Sequence, residues 1–294
     1  MPVTINGSDG ITNASWTTGT RPSNPAAGQM GFNTETEVLE FYNASLDEWR
    51  PVTFSTLSAT GGSVSDIIIG GQTYRVHEFT STGTSTFEVV DGSGEIECFI
   101  VGGGGGTLST STAGNSGGGG GGFTLTQTFI ASPQTYNVIV GDGGDGDSGE
   151  SSSFNGTLVA NGGFGGSGGD GFDGGSGGGS RGSPVAGSTV PGGDGGSDGT
   201  DGESTNNSGG QGQNTTTREF GSPTGVLYSG GGGGGSRDSA AGLGGDGGGG
   251  NGGKNALGED GSPNTGGGAG GIGRNVTGSA KGGSGIVLIR YRIR

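Results

Sequence analysis

A chain of 294 residues with 82 glycines and only 26% hydrophobic residues carries too little apolar surface to build ordinary cores along its whole length. A formal charge of −15, with only 12 Lys and Arg, excludes a role built on neutralising nucleic-acid phosphates and favours solubility instead. The single cysteine, Cys98, excludes an intramolecular disulfide and leaves too few thiols for a cysteine zinc site.

By composition alone such a Gly- and Ser-rich acidic chain reads as disordered, so any order must come from backbone hydrogen bonds. No stretch approaches the roughly 18 to 20 apolar residues of a membrane helix. The N-terminus lacks the basic and then apolar pattern of a signal peptide, so neither membrane insertion nor export by that route is expected.

Residues 1–55 hold both tryptophans, Trp16 and Trp49, and a hairpin pattern. In "GQMGFNTETEVLEFYN" Met30 and Phe32 precede a polar turn at 34–37, Leu39 and Phe41 alternate after it, and Trp49 closes the unit. A two-strand hairpin of this size is marginal alone. It needs either a partner, as a second copy or another protein, or packing on its own chain as a plain subdomain. A linker is expected over 56–72, although "DIIIGG" within it also has strand character.

The next block reads as short strands: "TYRVHEF", "TSTFEVV", "EIECFIV", "FTLTQTF" and "TYNVIV". Ile96, Cys98 and Ile100 share one face, which makes Cys98 a small buried residue. "SSSFNGTLVANGG" is a hairpin with Asn155 and Gly156 in a two-residue turn. With "SGIVLIRYRIR" at the C-terminus, 73–160 and 285–294 form a small antiparallel β-sandwich base, and 161–284 leaves it and returns to it. No segment has a helical period, so the class is all-β with essentially no α-helix.

Glycine runs near 102–106, 117–122, 161–179, 192–202, 209–212, 230–235, 242–253, 266–273 and 282–285 alternate with Ser/Thr/Asn-rich segments. A linker has no reason to alternate in this way. In the polyproline II conformation the chain turns every three residues, rises about 3.1 Å per residue and has no internal hydrogen bonds. Side-by-side helices of this kind satisfy one another only where no side chain separates them, so the runs predict a polyglycine II bundle. Counting alternations places 107–116, 170–173, 203–208, 236–241 and 274–281 far from the base. The same count places 180–191, 213–229 and 254–265 near it, where "GVLYS" supplies apolar packing.

Catalytic and cofactor chemistry is not expected. His77 lies in a strand and has no Ser and Asp partners around it. "GNGGKN" has Asn255 where a phosphate loop needs Ser or Thr. "GGSGGDGFD" (165–173) fits one calcium-binding nonapeptide, but the following nine residues lack the aspartate, and such sites need tandem copies. Glu259 and Asp260 read as a solvated loop. The expectation is thus no metal, no cofactor and no enzyme.

Two stretches resemble known proteins. "TGTRPSNPAAGQMGFNTETEVLEFYNASLDEW" (18–49) is similar to a short module of bacteriophage tail-fibre and appendage proteins, matched at Arg21, Pro22, Pro25, Gly28, Asn33, Thr34, Leu39, Tyr42 and Trp49. From 73 onward "TYRVHEFTSTGTSTFEVV", "IECFIVGGGGG", "YNVIVGDGGDG" and "GSGIVLIRY" resemble the glycine-rich domain of phage fibre proteins, and the long glycine part resembles the distal adhesin of T-even-like phages. The resemblance implies a virion protein assembled in the host cytoplasm, mounted through residues 1–55 on other fibre, tail or capsid proteins, with a homotrimer among the assemblies allowed. It also implies contact with a host surface glycan or outer-membrane protein through the far loops. On that reading Asn115, Asn206, Asn207, Arg237, Asp238, Arg274 and Asn275 are the receptor-contacting candidates. Phe32, Leu39, Phe41 and Trp49 are the attachment surface. The alternative is a structural virion protein, a fibre, knob or capsid decoration, that reads no receptor; the small, aromatic-poor loops favour it. An ice-binding bundle would need a regular flat face, which the irregular interruptions disfavour.

Overall fold

The computed structural model describes residues 5–6, 10–11, 14–52, 57–112, 114–182, 200–202, 217–237 and 240–293, in two compact units, Met1–Ser55 and Thr56–Arg294. The described residues are all-β, with no α-helix and with short 3-10 turns at Thr18–Thr20 and Glu219–Gly221.

In the first unit β1 (Ile5–Asn6) pairs with β2 (Gly10–Ile11), and a separate sheet orders β3 (Ser15–Trp16), β4 (Met30–Asn33), β5 (Val38–Asn43) and β6 (Glu48–Pro51) side by side. The unit is therefore more than the two-strand hairpin expected from sequence, because β3 adds parallel to β4 and β6 carries Trp49. Trp16 lies over Gly31, where a Cβ would stand 2.1 Å from the indole, and its ring centroid is 4.6 Å from that of Trp49. Beneath the indole the buried Glu40 carboxylate accepts from Trp16 Nε1 (3.1 Å), Asn33 Nδ2 (3.0 Å) and Arg21 Nε (2.9 Å). The Arg21 hydrogen bond is the main reason its pKa falls to about 2, against the opposing effect of burial. The opposite face pairs Met30 with Phe41 and Phe32 with Leu39, leaving Met30 and Phe32 exposed. Trp49 stands opposite Tyr42 on the Glu40 side, so the four expected attachment residues do not share one face.

The second unit begins with strands where a linker is expected: β7 (Ser58–Thr60) and β8 (Ser63–Ile69). They join different sheets, and Gly61 (φ +111°) and Gly62 (φ +64°) make that crossing in a backbone region closed to most side chains. The chain continues through β9 (Gln72–Phe79), β10 (Gly83–Asp91), β11 (Gly94–Val101), β12 (Thr107–Ser109), β13 (Thr124–Ala131), β14 (Gln134–Val140), β15 (Ser152–Phe154), β16 (Leu158–Ala160), β17 (Gly278–Ala280) and β18 (Ile286–Arg292). One five-stranded antiparallel sheet has the order β16-β15-β14-β10-β7, the other β13-β11-β18-β9-β8. Period-two alternation points Phe87, Tyr136, Val138, Phe154, Ile96, Cys98, Ile100, Val287 and Ile289 into one core between them. Each large apolar side chain buried there contributes about 1.5–3 kcal/mol. Asn155 (φ 52°) and Gly156 (φ 65°) turn the β15–β16 hairpin with positive φ at both positions.

His77 is fully buried: Nδ1 lies 2.6 Å from Gly61 O and its ring meets Phe87 edge-on, a structural position. On the outer side of β11 and β18, Phe99, Val101, Ile286 and Leu288 are covered by Phe220 and Tyr228 from the 217–229 loop. The Arg290 guanidinium lies 4.0 Å from the Phe220 ring centroid.

The glycine runs form the expected lattice. Gly117, Gly120 and Phe123 donate to Gly168, Phe164 and Asn161; Gly118 and Gly121 donate to Gly179 and Ser176; Gly119 and Gly122 donate to Ala269 and Gly266, all at 2.8–3.0 Å. A partner that repeats every third residue is the signature of a three-residue screw. The carbonyls of residues 118–121 accept from Phe172, Gly232, Gly105 and Gly175, so this run is surrounded by neighbours. The repeat recurs where Gly230, Gly233 and Ser236 donate to Gly247, Gly250 and Gly253.

Four features of the bundle differ from the sequence reading. Residues 141–150 belong to it, since Gly144 donates to Gly104 and Gly103 donates to Glu150. The run 242–253 is two runs, because 246–248 turn beside Tyr228 and Thr265 near the base, with Gly247 and Gly248 at φ +92° and +95°. The run 161–179 likewise contains a second turn at 175–176, next to Gly121 and Ser229. Residues 177–182 therefore climb away from the base, and 180–182 lie at the far end rather than the near one. Loop 254–265 starts at the far end and reaches the base only at 262–265. At 175–176 and 246–248 a Ser, Asp or paired glycine makes a tight turn inside what reads as continuous glycine.

Candidate functional site at the far end of the glycine bundle

Strand pairing and side-chain amides gather the far turns. β12 pairs with β17, which brings loop 107–116 beside 274–281. Asn275 N donates to Thr112 O (3.0 Å), and its Nδ2 lies 3.4 Å from Asn255 Oδ1. Asn255 Nδ2 in turn donates to Arg237 O (3.0 Å). Asn255 (φ 50°) and Asn275 (φ 66°) adopt left-handed turns, which asparagine tolerates better than most residues. Asn115 Nδ2 donates to both Gly182 O (2.9 Å) and Gly235 O (3.1 Å), tying together two runs remote in sequence.

The structure therefore brings Asn115, Arg237 and Asn275 to one end, with the half-buried Arg274 next to Asn275. Asn115 is a clamp on the frame, and Asn275 is an exposed turn residue. Asn206, Asn207 and Asp238 lie outside the described residues.

Beside Asn115 is an open cleft of about 250 Å³ whose lining includes Ser109, Thr110, Ser111, Ser167 and Arg181. Arg181 N donates to Gly169 O (3.0 Å), and the guanidinium crosses bare backbone at Gly169, where a Cβ would stand 2.3 Å from Cζ. Nε of Arg181 is buried without a hydrogen-bond partner. The sequence reading missed this arginine because it placed 180–191 near the base; the turn signal it passed over is the Gly175-Ser176 pair.

Burial pushes the Cys98 thiol up to about 12, which leaves it protonated and inert. The nonapeptide-like stretch 165–173 is used by the bundle: Phe172 N donates to Gly118 O, and Phe164 N donates to Asp173 O.

A family described as a glycine-rich domain matches residues 80–292, well over half of the chain, which takes in the bundle and every sandwich strand except β7, β8 and β9. The chain belongs to this family. No curated protein matches it. The matched part of the glycine-rich domain runs from the end of β9 to β18 and contains the cleft, whereas the first unit lies outside it.

Proposed function

We propose that this chain is an appendage protein of a bacteriophage particle, a tail fibre or fibre-tip adhesin, whose far turns contact a host-surface receptor while the first unit mounts it on other virion proteins. One observation carries the reading: turns near 112, 181, 237, 255 and 275 meet at one end of a hydrogen-bonded frame, joined through Asn115, Asn255 and Asn275. Such a frame lets turn side chains vary while interhelix bonds stay fixed, the arrangement a recognition surface requires. The exposed Met30 and Phe32, backed by Leu39 and Phe41, form an apolar face suited to mounting. The resemblance of 18–49 to phage appendage modules supports the same assignment.

Immunogold labelling of assembled particles, together with adsorption of the purified chain to host cells, tests it. Label at a fibre tip and competition with infection are expected. Absence of the chain from particles overturns the reading. The structural alternative, a fibre, knob or decoration without receptor contact, draws support from the far-end amides, since Asn115, Asn255 and Asn275 all bond within the frame. Label on the particle without adsorption would select it.

A further inference from the structure

The Arg181 cleft brings a cation and several hydroxyl side chains together at the far end of the bundle. Its lining has the exposed hydroxyls of Thr110 and Ser167 and the single cation Arg181, with no aromatic ring, while the buried Ser109 hydroxyl donates to Ser111 O. Arg21, Arg50, Arg75, Lys281 and Arg290 are held in ion pairs. Arg181 is engaged by no ion pair among the described residues, and its Nε is buried without a partner. The Arg181 backbone is fixed by the Arg181 N to Gly169 O bond, and the guanidinium lies close against the Gly169 backbone. The adjoining Gly182 is fixed by Asn115 and by its own bond to Gly235 O (2.8 Å). A pre-positioned planar fork matches an oxyanion with two acceptor oxygens. The surrounding hydroxyls, donors and acceptors at once, match a polyol. An aromatic platform for stacking an uncharged sugar is absent from the lining, so the charged contact must supply most of the selectivity.

We propose that this cleft binds a saccharide bearing an acidic group, with the Arg181 guanidinium gripping the oxyanion and the hydroxyls of Thr110 and Ser167, at the open side, taking sugar hydroxyls. The inference rests on the adhesin reading and gives its receptor a chemical class. The volume of about 250 Å³ suits one sugar unit projecting from a longer glycan, so each site binds weakly and an array of copies binds tightly.

The test titrates the full chain with trigalacturonate, mannose 6-phosphate and the neutral sugars galactotriose and mannose, read by calorimetry and by NMR shifts. Saturable binding of an acidic sugar in the millimolar range is expected, with at least tenfold weaker binding of the neutral sugars and weakening by salt. Which acidic sugar binds tells carboxylate from phosphate. R181Q is expected to weaken binding at least tenfold and R181K to a lesser degree, because lysine keeps the charge but loses the fork. S167E, at an exposed position, places a competing carboxylate at the cleft and is expected to abolish binding with an unchanged melting temperature. Failure of both acidic sugars to saturate, equal binding of the neutral sugars, or full affinity in both R181Q and S167E overturns the proposal. Host-cell adsorption separates the two readings: if wild type and S167E adsorb equally, the cleft assignment falls and adhesion stands. If an acidic sugar binds in an Arg181-dependent way but the chain does not adsorb, adhesion falls and the cleft stands.

Discussion

Gly119 donates its amide to Ala269 O at 2.8 Å, in the middle of a run that bonds to neighbours on all sides. A Cβ on Gly119 would stand 2.1 Å from Gly105 O and 3.2 Å from Ala269 N, both backbone atoms that cannot rotate away. G119A therefore has to push two runs apart, and we expect it to lower stability by about 3 kcal/mol. Gly94 is the control, since nothing lies within 4 Å of its would-be Cβ. G94A should stay within about 0.5 kcal/mol of wild type. Thermal unfolding of the two variants side by side checks this.

Both tryptophans lie in the first unit, so tryptophan fluorescence follows that unit selectively. Glu40 has a folded pKa of about 2 against an ordinary 4.5, so its contribution is complete above 4.5 and is lost as pH falls toward 2. E40Q should cost this unit about 2 kcal/mol at neutral pH by removing the charged acceptor of Arg21 and Trp16. It should also flatten the acid transition seen by fluorescence.

The sandwich has its own pH response, of the same sign and in a higher window. Burial lowers the pKa of His77 below its usual 6.5 and outweighs the hydrogen bond to Gly61 O. The unfolded chain then binds a proton more readily than the folded one, so stability is complete above about 6.5 and is lost as pH falls below it. Urea midpoints at pH 7.5 and 5.5 should differ for wild type and converge for H77Q, which retains a donor for Gly61 O.

On the first unit, F32E changes an exposed side chain on the apolar face and should leave the fluorescence melt unaltered. If that face mounts the chain, F32E should be missing from assembled particles. Incorporation at the wild-type level would remove the face from the account.

The β-sandwich was legible because alternation fixes which side of a strand is buried, as at Ile96, Cys98 and Ile100, and because Asn155-Gly156 announces its turn. The lattice was legible because alternating glycine runs have few other uses. What escaped were turns within glycine-rich stretches, at 175–176 and 246–248, since a residue type that permits every backbone conformation marks none of them. One missed turn inverted the placement of 180–182 and hid Arg181, the most distinctive side chain of the cleft. The sharing of Phe32, Leu39 and Phe41 on one face was visible in their spacing, but the position of Trp49 depends on the β5–β6 register, which the sequence does not specify.

Hydrogen exchange at the amides of Gly117–Gly122 tests most directly whether the glycine runs are an ordered frame. Each of these amides is bonded to a different run or to a different position on it, so we expect protection comparable to that of the β11 amides, released only on unfolding of the whole unit. Exchange at the rate of an unstructured peptide, with β11 still protected, would contradict the account and make the run a linker.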